Sequence, residues 1–546
     1  MKGLMQDWPL TVMSIIDHAN RFHAEREIVT RTVEGPIHRC TYSDIHLRAR
    51  KCAQALQKLG MKQGDVIATM AWNTHRHMEA WYGIMGMGAV CHTLNPRLFA
   101  EQLTYIINHA EDQFIFFDTT FVPVIEAVAD TLPNVKGFII LTDKANMPET
   151  KLKNVYCYEE IVEAEDGNFE WADVDENDAC GLCYTSGTTG NPKGVLYSHR
   201  SNVLHALAAN GADAMGMRSV DTVLPVVPMF HANAWAIAFS APASGAKIVM
   251  PGANMDGESI YELLSTERVT VTAAVPTVWL MLLGHLEANK VKLPDLTKVI
   301  IGGSAAPRSM IETFERDYDV TVMHAWGMTE MSPMGTLGSF KAGMETLPFE
   351  EQLDIKVKQG RAIYTVEMKI TDDDGNDLPS DGVAFGHLMV RGPAVAGGYL
   401  KGEGGNILDE DGWFDTGDVA TLDPLGFMQI TDRAKDVIKS GGEWISSIEL
   451  ENTAVGHPDV VEAAVIGILH PKWDERPLLI VIPKEGSGLT KESVLEYMDG
   501  KIAKWWMPDD VVFVEEIPHT ATGKIQKLTL REQFKDYTLP TATAAE

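Results

Sequence analysis

Tyr184-Thr-Ser-Gly-Thr-Thr-Gly-Asn-Pro-Lys-Gly194 is the stretch on which the reading of this chain turns. Glycines at 187, 190 and 194 let the backbone come close to an anion. Thr185, Ser186, Thr188 and Thr189 supply hydroxyl donors, and Lys193 supplies charge. Together they suit a polyphosphate. The stretch is not a Walker A loop. Counted from Gly187, that pattern wants Gly at 192 and Ser or Thr at 194, where Pro192 and Gly194 stand. A phosphate grip of another class implies different chemistry at the nucleotide. Taken alone, the composition also suits a surface linker.

The surrounding chain narrows the choice. At 546 residues it is too long for one core, so one or two large domains and a smaller one are expected. A formal net charge of −30 argues against nucleic acid and anionic membrane surfaces as partners. An anionic substrate then needs a local positive pocket. Cys180-Gly-Leu-Cys183 has CxxC spacing, but no second pair or nearby histidine completes a zinc set. On a strand those two cysteines face opposite sides. Nothing in the six cysteines implies a disulfide framework, which suits a reducing compartment. Asp7, Asp17 and His18 interrupt any signal-peptide-like run, and no stretch is apolar for long enough to span a bilayer. A cytoplasmic protein without membrane insertion is expected.

Upstream of the loop, helical spacing over 43–59 and near 77–88, 99–109 and 121–131 alternates with strands at 65–70, 90, 114–117 and 138–141. Downstream, strands are predicted at 222–227, 247–250, 270–274, 298–301 and 320–324. This βαβα order predicts an α/β fold with parallel sheets covered by helices. Ligands bind at the carboxyl ends of such strands. The loops there, 228–235, 302–306 and 326–330, can therefore converge with 184–194 on one crevice. From about 355 to 430 the alternation of Val366, Met368 and Ile370 predicts a β-rich subdomain. A boundary between 434 and 435 is expected to separate a large domain, 1–434, from a small mobile α+β domain, 435–546. In the latter, helices are predicted at 447–455 and 490–504, strands at 460–468, 478–482 and 511–515. The Thr/Ala-rich tail 538–546 reads as disordered.

The order of motifs gives a specific resemblance. Tyr184–Gly194, Gly302-Gly-Ser304, Trp326-Gly-Met-Thr-Glu330, Phe414-Asp-Thr-Gly-Asp418, Asp432-Arg-Ala-Lys-Asp436, Ser440-Gly-Gly-Glu443 and Thr522-Gly-Lys524 follow one another over nearly the whole chain. In this order they resemble the adenylate-forming superfamily of acyl-CoA synthetases, luciferases and peptide-synthetase adenylation domains. That resemblance implies ATP, Mg²⁺ and coenzyme A as reactants or cofactors and a small carboxylic acid as substrate. It also implies a homodimer.

The resemblance further implies roles. Thr185, Ser186, Gly187, Thr188, Thr189, Gly190 and Lys193 would hold the β- and γ-phosphates. Thr329 would donate to the α-phosphate, and Glu330, with Thr188, would hold Mg²⁺. The adenine would lie between Trp326, within His324-Ala325-Trp326-Gly327-Met328, and the wall Gly302-Gly303-Ser304-Ala305. Asp418, assisted by Arg433, would take the ribose. Lys524 would be the catalytic cation, bridging the acid and the α-phosphate. Lys435 would be the hinge on which the small domain swings, bringing Ser440, Gly441, Gly442, Glu443 and Trp444 to line a CoA tunnel. Tyr is commoner in the family where Trp326 stands, and Arg where His519 stands.

For the acid, Pro228-Met-Phe-His231-Ala-Asn-Ala-Trp235 resembles the fatty-acyl form of its segment. His231, Trp235, Gly302 and Pro333 would wall an apolar pocket. No aspartate follows that would recognise an α-amino group. Ser440–Ser446, Trp473–Leu478, Cys91–Arg97 and His324–Glu330 resemble bacterial medium-chain fatty-acid–CoA ligases and 3-methylmercaptopropionate–CoA ligases of marine bacteria. A short thioether tail and a short alkyl tail are nearly isosteric, so both stay open. Longer-chain acids, a carrier protein as acceptor, luciferase-like oxygenation and simple acyl binding remain the alternatives.

Overall fold

The computed structural model describes residues 1, 3–185, 191–441, 443–519 and 525–543, with only the backbone of Glu443, Trp444 and Thr543. Two sheets build most of the N-terminal domain. One has seven strands in the order Val155–Cys157, Gly137–Ile140, Phe114–Phe117, Val66–Met70, Val90–Thr93, Ala179–Tyr184, Gly194–Ser198. Its neighbours are parallel except for the last pair. The other has nine strands: Arg361–Ala362, Met334–Leu337, Thr321–Gly327, Lys298–Ile301, Val271–Ala274, Thr222–Pro225, Lys247–Met250, Glu27–Arg31, Ile37–Thr41. Its middle is parallel and both edges are antiparallel.

Strand alternation explains how each sheet buries both faces. Phe114 and Phe116 belong to the core shared by the two sheets. Ile115 and Phe117 belong to the core under the outer helices Ala100–Ala110 and Val122–Val128. Val223 and Ile248 face inward in the same way, while Leu224 and Val249 meet helices Gly257–Thr266, Pro276–Asn289 and Arg308–Asp317. Helices Val12–Phe22, Tyr42–Lys58, His75–Gly86, His199–Ala209 and Ile237–Ser244 contribute to the shared core. Every residue of His75–Gly86 is buried, so that helix shows no face to solvent, and its Arg76 and Glu79 are held in ion pairs. Cys180 lies in the shared core and Cys183 in a small cluster with Val195 and Tyr197, on opposite faces as the spacing predicts.

The expected β-rich part is a four-stranded antiparallel sheet of Glu367–Thr371, Phe385–Arg391, Phe414–Leu422 and Met428–Arg433. It begins after helix Phe349–Lys356 and after Arg361–Ala362, which joins the nine-stranded sheet. The C-terminal domain is built on strands Ile438–Ser440, Glu443–Ile445, Val460–His470 and Asp474–Pro483, all antiparallel, with Asp510–Phe513 added in parallel. The fold is thus α/β: a large domain of helix-covered sheets followed by a smaller domain on a mainly antiparallel sheet.

Two expectations fail here. The helix predicted over 490–504 stops at Met498, and Gly500 takes φ +75° just beyond. The tail expectation fails over 538–543, and 544–546 lie outside the described residues. Leu539 is fully buried in a cluster with Ile517 and Leu530, and Pro540–Thr543 forms a helical turn. One well-placed leucine outweighs the disorder-like composition around it. Among the described residues no helix is long and apolar enough to cross a membrane.

Candidate nucleotide and acyl site

The stretch 184–194 connects two antiparallel neighbours, so it is a hairpin connection rather than a strand-to-helix turn. Its base is closed twice: Thr185 N donates to the Lys193 carbonyl at 2.9 Å, and Lys193 N to Thr185 Oγ1 at 3.2 Å. Ser186, Gly187, Thr188, Thr189 and Gly190 lie outside the described residues. Helix Ala100–Ala110 braces the hairpin. His109 Nδ1 bonds the Tyr184 hydroxyl at 2.6 Å, and Tyr105 stacks on His109 and donates to Glu403 at 2.7 Å. The Lys193 ammonium sits 4.9 Å from the centroid of the Tyr399 ring.

Strand Thr321–Gly327 brings the second motif alongside. Gly327 has to be glycine, because a Cβ there would lie 2.1 Å from the Pro333 carbonyl oxygen. The turn after it folds back, with Met328 N donating to that same carbonyl at 2.9 Å. Tyr197 donates to the Thr329 carbonyl and the Ala396 amide to the Glu330 carbonyl, both at 2.7 Å. The Glu330 residue is 7% exposed, and its Oε1 accepts the Tyr399 hydroxyl at 2.7 Å. Among the described residues no cation pairs with it. A nearly buried carboxylate with a single donor and no counter-charge fits a hard divalent cation. Thr188, the other expected ligand, lies outside the described residues.

The third motif meets the second through Asp418. Asp418 and Arg433 are register partners on neighbouring strands. Asp418, 3% exposed, accepts Trp326 Nε1 on Oδ2 and Arg433 Nε on Oδ1, each at 2.8 Å. The Trp326 ring covers Gly335, where a Cβ would come within 2.5 Å of it. His324 and Ala325 lie buried on the same strand. His324 Nε2 accepts the Ala306 amide at 3.2 Å, and Nδ1 bonds the Val357 carbonyl at 3.0 Å. Burial pushes this imidazole down to about 4, so it is neutral near pH 7. His324 therefore acts on the crevice by fixing the turn Gly302-Gly303-Ser304-Ala305, of which Ser304 is exposed.

The residues expected to wall an acyl pocket adjoin that turn. Trp235 Cη2 lies 3.1 Å from where a Cβ on Gly302 would stand. Ala232, Asn233, Ala234, Trp235 and Ala236 all take φ between 44° and 63°, a full left-handed turn without a glycine. Each such residue costs roughly 1–2 kcal/mol. Asn233 Nδ2 reaches Asn202 Oδ1 at 3.4 Å, tying the turn to helix His199–Ala209. His231 begins it, half-buried. Pro333 is buried, and His205 Nε2 accepts the next amide, Met334 N, at 2.9 Å.

In the small domain, Ser440 is buried and pairs across to Asp474. Gly441 takes φ +60°, donates to the Trp473 carbonyl at 2.8 Å, and would press a Cβ to 2.8 Å from the Trp473 ring. Gly442 and Lys524 lie outside the described residues, as do the side chains of Glu443 and Trp444. Lys435 is exposed, and both sides of it are tied down. Asp432 accepts Ser447 N at 2.7 Å and Ser447 Oγ at 2.5 Å, and Asp436 pairs with Arg531 at 2.8 Å.

Comparison with known proteins adds the family. Residues 16–400 match the AMP-binding enzyme family and residues 449–524 the AMP-binding enzyme C-terminal domain. The chain belongs to the AMP-binding enzyme family. It is 52% identical to the 3-methylmercaptopropionyl-CoA ligase of Ruegeria lacuscaerulensis, over 98% of this chain and 99% of that protein. It is 48% identical to the medium-chain-fatty-acid–CoA ligase of Ectopseudomonas oleovorans, over 100% of both. The crystal structure of the anthranilate CoA ligase AuaEII in complex with anthranoyl-AMP shares the fold, with a TM-score of 0.85 at 24% identity over 97% and 99% of the two chains. The sequence reading missed Tyr399, which touches both Glu330 and Lys193. Its only signal is Gly397-Gly398-Tyr399, a glycine pair before an aromatic, which reads as ordinary loop.

Proposed function

We propose that the protein is an AMP-forming acid–CoA ligase for short- to medium-chain acids, with 3-methylmercaptopropionate foremost. One observation carries the reading: loops from three sheets meet in pairs, Lys193 and Glu330 on Tyr399, Trp326 and Arg433 on Asp418, and Trp235 on Gly302. Whole-length likeness to a 3-methylmercaptopropionyl-CoA ligase and a medium-chain-fatty-acid–CoA ligase supports the choice of acid.

In the first half-reaction a carboxylate oxygen attacks the α-phosphorus of ATP, and pyrophosphate leaves. Two anions must meet, so cations and donors have to stand where charge develops. Lys193 and the loop hydroxyls hold the β- and γ-phosphates. The Thr329 hydroxyl donates to the α-phosphate, and Lys524 bridges it to the acid. Asp418 keeps Trp326 and Arg433 and accepts the ribose hydroxyls on its remaining lone pairs. Glu330 and Thr188 would hold Mg²⁺, which supplies charge against the phosphates. The acyl tail lies against His231, Trp235, Gly302 and Pro333. In the second half-reaction the CoA thiol attacks the acyl carbonyl and AMP leaves with the former carboxylate oxygen.

The small domain, taken from 435, swings on Lys435 between the two halves, and Ser440–Trp444 then lines the thiol's approach. That swing has to release Ser446 and Ser447 from Thr431 and Asp432. Six buried, free cysteines suit a cytoplasmic setting, and a homodimer is the expected assembly.

Pyrophosphate release over a panel from propionate to dodecanoate plus 3-methylmercaptopropionate, with and without CoA, tests the reading. The thioether acid and the C4–C8 acids should give the highest kcat/KM. A preference for amino acids, or turnover indifferent to CoA, refutes it. Lys524→Ala should abolish adenylation yet still convert supplied acyl-AMP to thioester. Equal loss of both contradicts the division between halves.

A further inference from the structure

We propose that Tyr399 is a positioning residue that sets Glu330 for the nucleotide's divalent cation and Lys193 for its phosphates. The proposal rests on the reading of Glu330 and Lys193 as parts of an MgATP site.

Tyr399 touches both residues. Its hydroxyl donates to Glu330 Oε1 at 2.7 Å and leaves Oε2 without a donor among the described residues. A carboxylate held by one oxygen presents the other in a fixed direction, as a metal ligand requires. Its ring face lies 4.9 Å from the Lys193 ammonium, within cation–π range. The phenol holds two opposite charges whose partners, cation and phosphate, arrive on one nucleotide.

The segment carrying it is fixed from several sides. The Ala396 amide donates to the Glu330 carbonyl at 2.7 Å. Leu400 Cβ lies 3.1 Å from where a Gly194 Cβ would stand, at the far foot of the phosphate loop. Glu403 accepts Tyr105, whose ring stacks on His109, which in turn holds Tyr184 at the near foot. Lys193 Nζ lies 3.2 Å from where a Gly404 Cβ would stand, so bulk at 404 would displace the ammonium. The stretch 396–404 therefore clasps both feet of the loop to the Glu330 turn, with Tyr399 at its centre.

The test is equilibrium ATP binding to the full chain without acid, by calorimetry, with Mg²⁺ titrated and separately in EDTA. Tyr399→Phe keeps the ring and removes only the donor. The Mg²⁺ concentration for half-maximal tightening should rise about 10- to 100-fold, with affinity in EDTA unchanged. Tyr399→Leu also removes the ring under Lys193 and should weaken binding in EDTA by about two- to fivefold. Glu330→Gln sets the ceiling: metal dependence should vanish, and adding Tyr399→Phe should cost nothing more. A Phe variant with wild-type metal dependence, or one weakened equally with and without metal, overturns the role of Tyr399. A Glu330→Gln variant that keeps its metal dependence instead overturns the reading of Glu330 beneath it.

Discussion

The proposed nucleotide end and the proposed acyl end of the site are built by different means. At the nucleotide end, side chains from separate sheets meet in charged hydrogen bonds: Trp326 and Arg433 on Asp418, Tyr399 on Glu330. At the acyl end the shape is held in the backbone, in five left-handed residues that set Trp235 against Gly302. A polyphosphate demands charges at fixed places. An apolar tail demands only a wall of the right shape.

Asp418→Ala is the strongest way to break this contrast. It strips Trp326 and Arg433 of their shared acceptor. The KM for ATP should rise about 100-fold while the KM for the acid stays within a few-fold. Initial rates with each substrate varied in turn check it, and an equal rise in both would erase the distinction. Trp235→Ala should act on the other side. Removing the indole should move kcat/KM toward longer acids by about 30-fold relative to butyrate, with the KM for ATP unchanged.

Protonation sharpens the contrast, since each end leans on a buried neutral histidine. His324 fixes the 302–306 turn and His205 holds the backbone behind Pro333; burial pushes each down to about 4. In the unfolded chain an imidazole takes its proton near 6.5. Between about 6.5 and 4 the unfolded state therefore binds more protons, and stability falls as pH falls through that window. Each histidine should account for about 2 kcal/mol between pH 7.5 and 5. Urea unfolding at both pH values checks this. His324→Gln should remove its share of the slope, and no change in slope would contradict the assignment. The smallest effect belongs to the left-handed turn. Ala234→Gly removes a Cβ from a residue at φ 50° and should stabilise the fold by about 1 kcal/mol, while loosening chain-length selection. Thermal melts and the acid panel read the two consequences.

The same contrast explains what could be read from the sequence. Glu330, Asp418 and Arg433 stand out only through the motifs that carry the family resemblance, whereas the run Tyr184–Gly194 marks itself by its glycines and hydroxyls. Helix Ser447–Val455 was legible for a similar reason: Ser446 caps it by accepting the Glu449 amide at 3.1 Å. The turn Ala232–Ala236 was not, because no glycine announces positive φ there. Hairpin Glu27–Arg31 and Ile37–Thr41 escaped notice because its outer strand is mostly exposed and polar, which blurs alternation. Tyr399 acts only through tertiary contacts, with residues 69 and 206 positions away, and no local pattern encodes such contacts.

Isotope transfer reveals whether a mixed anhydride forms between the acid and the α-phosphate. The acid labelled with ¹⁸O in its carboxylate is turned over with ATP and CoA, and the nucleotide product is weighed by mass spectrometry. AMP should carry one ¹⁸O and be equimolar with acyl-CoA. Unlabelled AMP, or ADP with the label in inorganic phosphate, would contradict the mixed anhydride.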